Sequence, residues 1–123
     1  MDRWQAQYQF WAGFGVPAYE ENSVPSWAKM PYITYQAMVG GFGDVMTVTA
    51  SIWDKSTSWE FADTLADRIE NAIRLSLPIA YDDGMYRVYI GNTPFSQNMG
   101  DPEDDQVKRK ILNVNFEFMD KIY

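Results

Sequence analysis

Cysteine and histidine are both absent from the 123 residues. Without cysteine there are no disulfides, thiolate metal sites or thiol nucleophiles, and without histidine the commonest metal ligand and general base is missing too. Most familiar catalytic constellations are excluded on that ground. Positive charge is scarce: 10 Lys and Arg stand against 17 Asp and Glu, a net charge of −7. Such a chain is ill suited to gripping nucleic acid by neutralising phosphates, but it permits nucleic acid to slide past without sticking. No run of eighteen apolar residues and no charged-then-apolar leader occurs. The sequence therefore predicts no membrane span or signal peptide, and a soluble protein made in a cytoplasm. The glycine-rich GGFG lacks the Lys-Ser/Thr and the strand-to-helix setting of a phosphate loop, so its glycines read as turn residues.

What is abundant is apolar and aromatic. At 46% hydrophobic content the chain supports one domain over residues 1–123 with a real core, and is too short for two. An aromatic share of 16%, with five Trp, exceeds what one small core usually needs and points to aromatic-rich contact surfaces between subunits.

Residues 57–77 carry Ala62, Leu65, Ala66, Ile69, Ala72 and Ile73 at helical spacing, continued by Ser76 or Leu77, with Asp63, Asp67, Arg68, Glu70, Asn71 and Arg74 opposite. This pattern predicts one long amphipathic helix, opened by a Thr57/Glu60 capping box and stopped by Pro78. Residues 1–16 place Trp4, Tyr8 and Trp11 at helical spacing behind an Asp2 N-cap, with Gly13 and Gly15 ending the helix. So aromatic a stripe needs cover, either from its own sheet or in part from a neighbouring copy. Residues 17–31 hold three prolines without periodicity and predict an extended connector, so that 1–31 form helix plus connector and 32–123 the sheet-and-helix core.

Alternation over 32–39 and 45–53 predicts two strands, with Ile33, Tyr35, Met46, Val48, Ala50 and Ile52 inward and Thr47, Thr49 and Ser51 outward. Gly40, Gly41 and Gly43 between them predict a hairpin. A second hairpin is predicted for 79–81 and 85–90 around Asp82-Asp83-Gly84. Residues 91–106 read as a long polar loop containing Phe95 and Met99. Residues 107–119 read as the longest strand, with Leu112, Val114, Phe116 and Phe118 inward, suited to a central place or to sharing with another subunit. Together these elements predict an α+β fold: a mixed, mainly antiparallel sheet, with the long helix and the N-terminal helix packed on one face.

Clustered ionisable groups are few. Asp82 and Asp83, and Asp101, Glu103, Asp104 and Asp105, are oxygen ligands that could hold Ca²⁺ or Mg²⁺, or read more simply as solvated turns. In a polar loop without an apolar wall they would keep ordinary pKa values and make poor acid catalysts. No metal, cofactor or enzymatic activity is expected. Lys108, Arg109 and Lys110 form a short basic patch, predicted to pair with the preceding acids.

The order FWAGFGVPAYEENSVP, MPYITYQ, TASIWDKSTSWEFADTLADRI, a DG turn before an aromatic strand, then GNTPFSQNMGDPEDDQVKRKILNVNFEF, resembles the tail terminator (tail completion) proteins of long-tailed, siphovirus-type phages. The resemblance covers nearly the whole chain. Its most specific pieces are residues 31–35, Trp53-Asp54, residues 56–59, Thr93-Pro94-Phe95, Asp101-Pro102 and Asp104-Asp105. It implies a structural virion protein at the head-proximal end of the tail, with a mixed sheet and helices on one face. Such a protein forms a homo-oligomeric ring, generally a hexamer, that caps the tail tube, ends its growth and meets a neck or head-completion protein while DNA crosses the lumen unbound. On that expectation Phe95, Met99, Trp53, Trp59, Trp4 and Trp11 are candidate subunit or tube contacts, and Asp101, Asp104 and Asp105 candidate lumen or loop acids. Phe95 either reaches the tube or neighbour or tucks under its own sheet. One of Trp53 and Trp59 is expected in the core, without the sequence saying which. Two alternatives share the residues: another head–tail connector or stopper ring, and a monomeric small-molecule-binding α+β module.

Overall fold

The computed structural model describes residues 1–39, 45–75, 78–82, 84–90 and 94–120. The expected turn glycines Gly40, Gly41 and Gly43, the helix end at Ser76 and Leu77, and Asp83, Gly91 and Thr93 lie outside the described residues. The fold is mixed α/β, with two helices and a mostly antiparallel seven-stranded sheet.

Helix α1 (Arg3–Ala12) begins as its side chains dictate. The Asp2 carboxylate accepts the Gln5 amide at 2.8 Å, and the Gln5 side-chain oxygen accepts the Asp2 amide at 3.0 Å, closing a capping box. Gly13 caps the other end, and Gly15 follows at φ +84°, a left-handed conformation that favours glycine. The buried residues are Ala6, Gln7, Phe10 and Trp11, so the stripe is rotated from the expected one. Trp11 is fully buried while Trp4 and Tyr8 stay about half exposed.

Helix α2 (Glu60–Leu75) starts three residues later than the 57–77 expectation. The strand before it, β3 (Val45–Lys55), runs on to Lys55, leaving residues 56–59 to make the turn. The first helical bond therefore joins the Asp63 amide to the Trp59 carbonyl at 2.8 Å. Trp59 is thus the N-cap position, and in place of the expected Thr57/Glu60 capping box Ser58 Oγ, one residue before it, accepts the Glu60 amide at 3.3 Å. Ala62, Leu65, Ala66, Ile69 and Ile73 are buried, as their spacing requires. No helix among the described residues is long and apolar enough to cross a membrane.

The connector is not wholly irregular. It contains β1 (Ala18–Glu20), which pairs in parallel with β2 (Tyr32–Tyr35), and β2 pairs antiparallel with β3. Three residues are too few to show alternation, and the parallel partner is fifteen residues further along the chain. β4 (Ile79–Tyr81) and β5 (Gly84–Ile90) form the expected hairpin, with Tyr81 opposite Gly84.

The organising strand is β7 (Val107–Asp120). Along one side it pairs with β3 over its first eleven residues. Along the other, β5 pairs with residues 114–120 and β6 (Ser96–Gly100) with residues 108–112. The segment predicted as a loop over 91–106 thus contains a five-residue strand. β6 carries Ser96, Gln97 and Asn98 with Met99 as its one large apolar residue, and is largely exposed, so backbone pairing holds it without an apolar stripe. Between β5 and β6, Asn113 reaches across: its amide donates to the Phe95 carbonyl at 2.7 Å and its Nδ2 to the Pro94 carbonyl at 2.8 Å.

Leu112, Val114, Phe116 and Phe118 are all fully buried, with Ile52, Ala50 and Val48 beside them on β3 and Tyr86 and Val88 on β5. From this set Tyr86 reaches α1, donating to the Ala6 carbonyl at 3.0 Å, and Lys110 reaches Asp63 of α2 at 2.6 Å. The Tyr86 ring stacks on Phe118 at 5.8 Å and meets Phe116 edge-on at 5.6 Å.

Candidate functional site

The residues that alternate with this core set lie on the opposite face of the sheet, and register brings several together. Tyr32 pairs with Trp53, Trp53 with Arg109, and Arg109 with Met99, a straight row across β2, β3, β7 and β6. Tyr19 on β1 extends the row, its ring edge-on to Tyr32 at 5.6 Å. Strand pairing places such neighbours about 5 Å apart, within reach of long side chains.

Arg109 is the keystone. Its guanidinium lies over the Trp53 ring, 4.6 Å from the centroid, its Nε donates to Ser51 Oγ at 3.1 Å, and its Nη1 approaches the Met99 sulfur at 3.8 Å. Trp53 is fixed from its other side by Nε1 donating to Thr34 Oγ1 at 2.9 Å. A cavity of about 170 Å³ opens beside the pair, walled by Trp53, Arg109, Met99, Asp101, Pro102 and Val107. A guanidinium on an indole beside an exposed methionine is the composition typical of protein contact surfaces.

Two of the expected candidates, Trp53 and Met99, are therefore brought together, and Asp101 joins them at the cavity wall. Trp59 is elsewhere. It is half-buried against the core where α2 begins, with the Lys108 and Lys110 ammonium groups 5.8 and 6.0 Å from its ring centre. Phe95 is likewise half-buried and packs on the core. Trp11 stacks on Tyr35 inside the protein, which leaves Trp4 alone of the two α1 tryptophans with surface to offer a neighbour.

The acids serve the hairpin that joins β6 to β7. Asp101 accepts the Glu103 amide at 2.8 Å, Asp104 accepts the Gln106 amide at 2.9 Å and lies 3.6 Å from Lys55, and the Lys108 ammonium meets the Asp105 carbonyl. Asp82 sits at the β4–β5 turn, near the far end of β7, roughly 40 Å away at strand rise, so the two acidic groups do not meet. Among the described residues no group of three or more acids is arranged to hold a metal ion.

The basic patch behaves otherwise than expected. Lys110 is buried and pairs with Asp63 of α2 and, at 2.8 Å, with Asn98 of β6, not with the acids before it. Alternation sends Arg109 to the opposite face. Tyr32, Tyr19 and Arg109 are the site residues the sequence reading missed. The signal was present only as alternation, because Arg109 lies between two inward lysines, and its pairing with Trp53 needs the register.

Further along the same face, Tyr89 donates a hydrogen bond to Glu117, while the Arg87 guanidinium lies 4.7 Å from the Tyr89 ring centre. The hydrogen bond to Glu117, aided by burial, pushes the Tyr89 phenol above its ordinary range. Neither a family model nor a curated protein matches the chain.

Proposed function

We propose that this chain is a tail terminator of a long-tailed phage, a non-enzymatic virion protein whose copies close into a ring of about six on the head-proximal end of the tail tube. The observation that carries the reading is the row Tyr19, Tyr32, Trp53, Arg109 and Met99, an interface-type surface on a chain that already resembles that family over nearly its whole length. A ring subunit needs two different contact areas that join head to tail and close. Both helices covering one face of the sheet, as Tyr86 to Ala6 and Lys110 to Asp63 support, would leave the row's face for neighbours. The net charge of −7 favours a lumen that DNA crosses without sticking. Catalysis has no support in the residue inventory, because cysteine and histidine are absent and, of the acids in the β6–β7 turn, Asp101 and Asp104 each accept a backbone amide within the turn. The tube protein and a neck protein are the partners this role requires.

The test is co-assembly. Purified protein incubated with tail tubes is expected to appear by electron microscopy as a ring at one tube end and to halt tube elongation, and native mass spectrometry is expected to detect a closed species near six copies. Tubes that elongate unchanged in its presence, with no ring bound, would refute the reading.

A further inference from the structure

The most exposed aromatic side chain among the described residues is Trp27, at 73%. It belongs to the segment joining β1 to β2, at one edge of the sheet, with Lys29 two residues on. An indole exposed to that extent offers apolar area that contact with another molecule would remove from water. The cavity beside Trp53 and Arg109 is at the other side of the same row, against the edge strand β6. Its volume of about 170 Å³ is open to solvent and has room for part of an aromatic side chain.

Charge matches as well as shape. Lys29 is the one basic residue between Arg3 and Lys55, whereas the cavity's rim is the acidic turn carrying Asp101, Glu103, Asp104 and Asp105. Asp101 and Glu103 are exposed, and among the described residues no cationic side chain is paired with either. Glu20 and Glu21 carry the opposite sign seven and six residues before Trp27, so Lys29, two residues after it, is the charged side chain nearest to Trp27 along the chain.

We propose that the cavity formed by Trp53, Arg109 and Met99 receives Trp27 of a second copy of this chain, with that copy's Lys29 set against Asp101 and its acidic neighbours. The Trp27 segment joins β1 to β2 and the cavity spans β3, β7 and β6, so the indole and the hole belong to different strands and each copy gives one and accepts one. The contact is heterologous, and repeats until it closes. Trp27 inserts beside a guanidinium already lying on an indole, which makes it the central aromatic anchor of the interface. The proposal rests on the reading of the chain as a ring subunit and specifies the contact that builds the ring.

Sedimentation velocity over a concentration series tests it with three samples. Wild type associates; Trp27→Ala and Met99→Asp, both at exposed positions, keep wild-type circular dichroism and melting but lose about tenfold or more in association constant, the scale of a central anchor. The third sample is their equimolar mixture. Trp27→Ala keeps an intact cavity and Met99→Asp an intact indole, so the mixture forms one-to-one dimers and goes no further. A charge exchange supplies a second arm: Lys29→Glu and Asp101→Lys each weaken association, and the double variant recovers it. The docking is overturned if Trp27→Ala associates as wild type does, if the mixture gives no dimer, or if wild type stays monomeric throughout. Were Trp27→Ala still to cap tubes as rings, the docking alone would fall and the terminator reading would stand; absence of rings from wild type on tubes would sink both.

Discussion

Tyr86 offers a perturbation whose sign changes with pH. Its ring is fully buried between Phe116 and Phe118, and its hydroxyl donates to the Ala6 carbonyl of α1 at 3.0 Å. Burial, reinforced by the nearby Tyr35, pushes its phenol far above the ordinary value of 10.0. Tyr86→Phe keeps the ring contacts and removes one buried hydroxyl with its hydrogen bond. The Ala6 carbonyl lies within α1 and keeps its helical acceptor role, so the cost near pH 7 is about 1 kcal/mol. With an unfolding entropy of roughly 2.1 cal/mol/K per residue, that lowers Tm by about 4 °C for a chain of this length. The linkage runs the other way in alkali. A raised folded-state pKa gives stability that is fully present below pH 10 and is lost as pH climbs, because the unfolded chain releases a proton that the folded one retains. The loss approaches about 1.4 kcal/mol per pH unit for this one group, so the two melting curves are expected to meet near roughly pH 11, with the variant the more stable above it. Tyr35, raised by burial and then by Glu20, keeps an alkaline limb in both proteins. Thermal melts from pH 7 to 11.5 followed by circular dichroism make the comparison. A constant gap between wild type and Tyr86→Phe across that range would refute the claim that the protein holds this phenol neutral.

Three further outcomes follow from burial and pairing. Leu65 is 2% exposed on the apolar stripe of α2, so Leu65→Ala is expected to cost about 2–5 kcal/mol and Leu65→Asp to abolish cooperative melting, whereas Phe61→Ala on the exposed side shifts Tm by no more than a few degrees. Asp63→Ala leaves the buried Lys110 ammonium with Asn98 as its remaining partner, whereas Lys110→Met removes the cation and keeps the bulk; since Asp63 is itself half exposed, urea titration is expected to show a loss of about 1 kcal/mol for the first and less for the second. Phe95→Ser is expected to lower Tm, because the ring packs on the core; a Tm equal to wild type, combined with weakened association, would assign Phe95 to a contact with another molecule.

Local sequence, through periodicity, capping and turn residues, determined much of this protein. The inward set of β7, the buried stripe of α2, the Asp2 cap of α1 and the tight β4–β5 hairpin follow from local rules, because each depends on side chains within a few residues of one another. Where reading along the chain failed, the deciding partner was remote. β6 has no apolar alternation and is a strand only because β7 extends beyond β5 and offers it an unpaired edge. β1 exists through a parallel pairing with β2, and the start of α2 was displaced by the length of β3, which β7 sets. In α1 the aromatic spacing marked one stripe, and the position of the sheet turned Trp11 inward and Trp4 outward. The candidate site divides in the same way. Composition announced an aromatic surplus, and alternation separates Arg109 from Lys108 and Lys110. Only the antiparallel registers of β2, β3, β6 and β7 set Tyr32, Trp53, Arg109 and Met99 side by side, since a one-residue slip in any of them would send that strand's side chain to the opposite face.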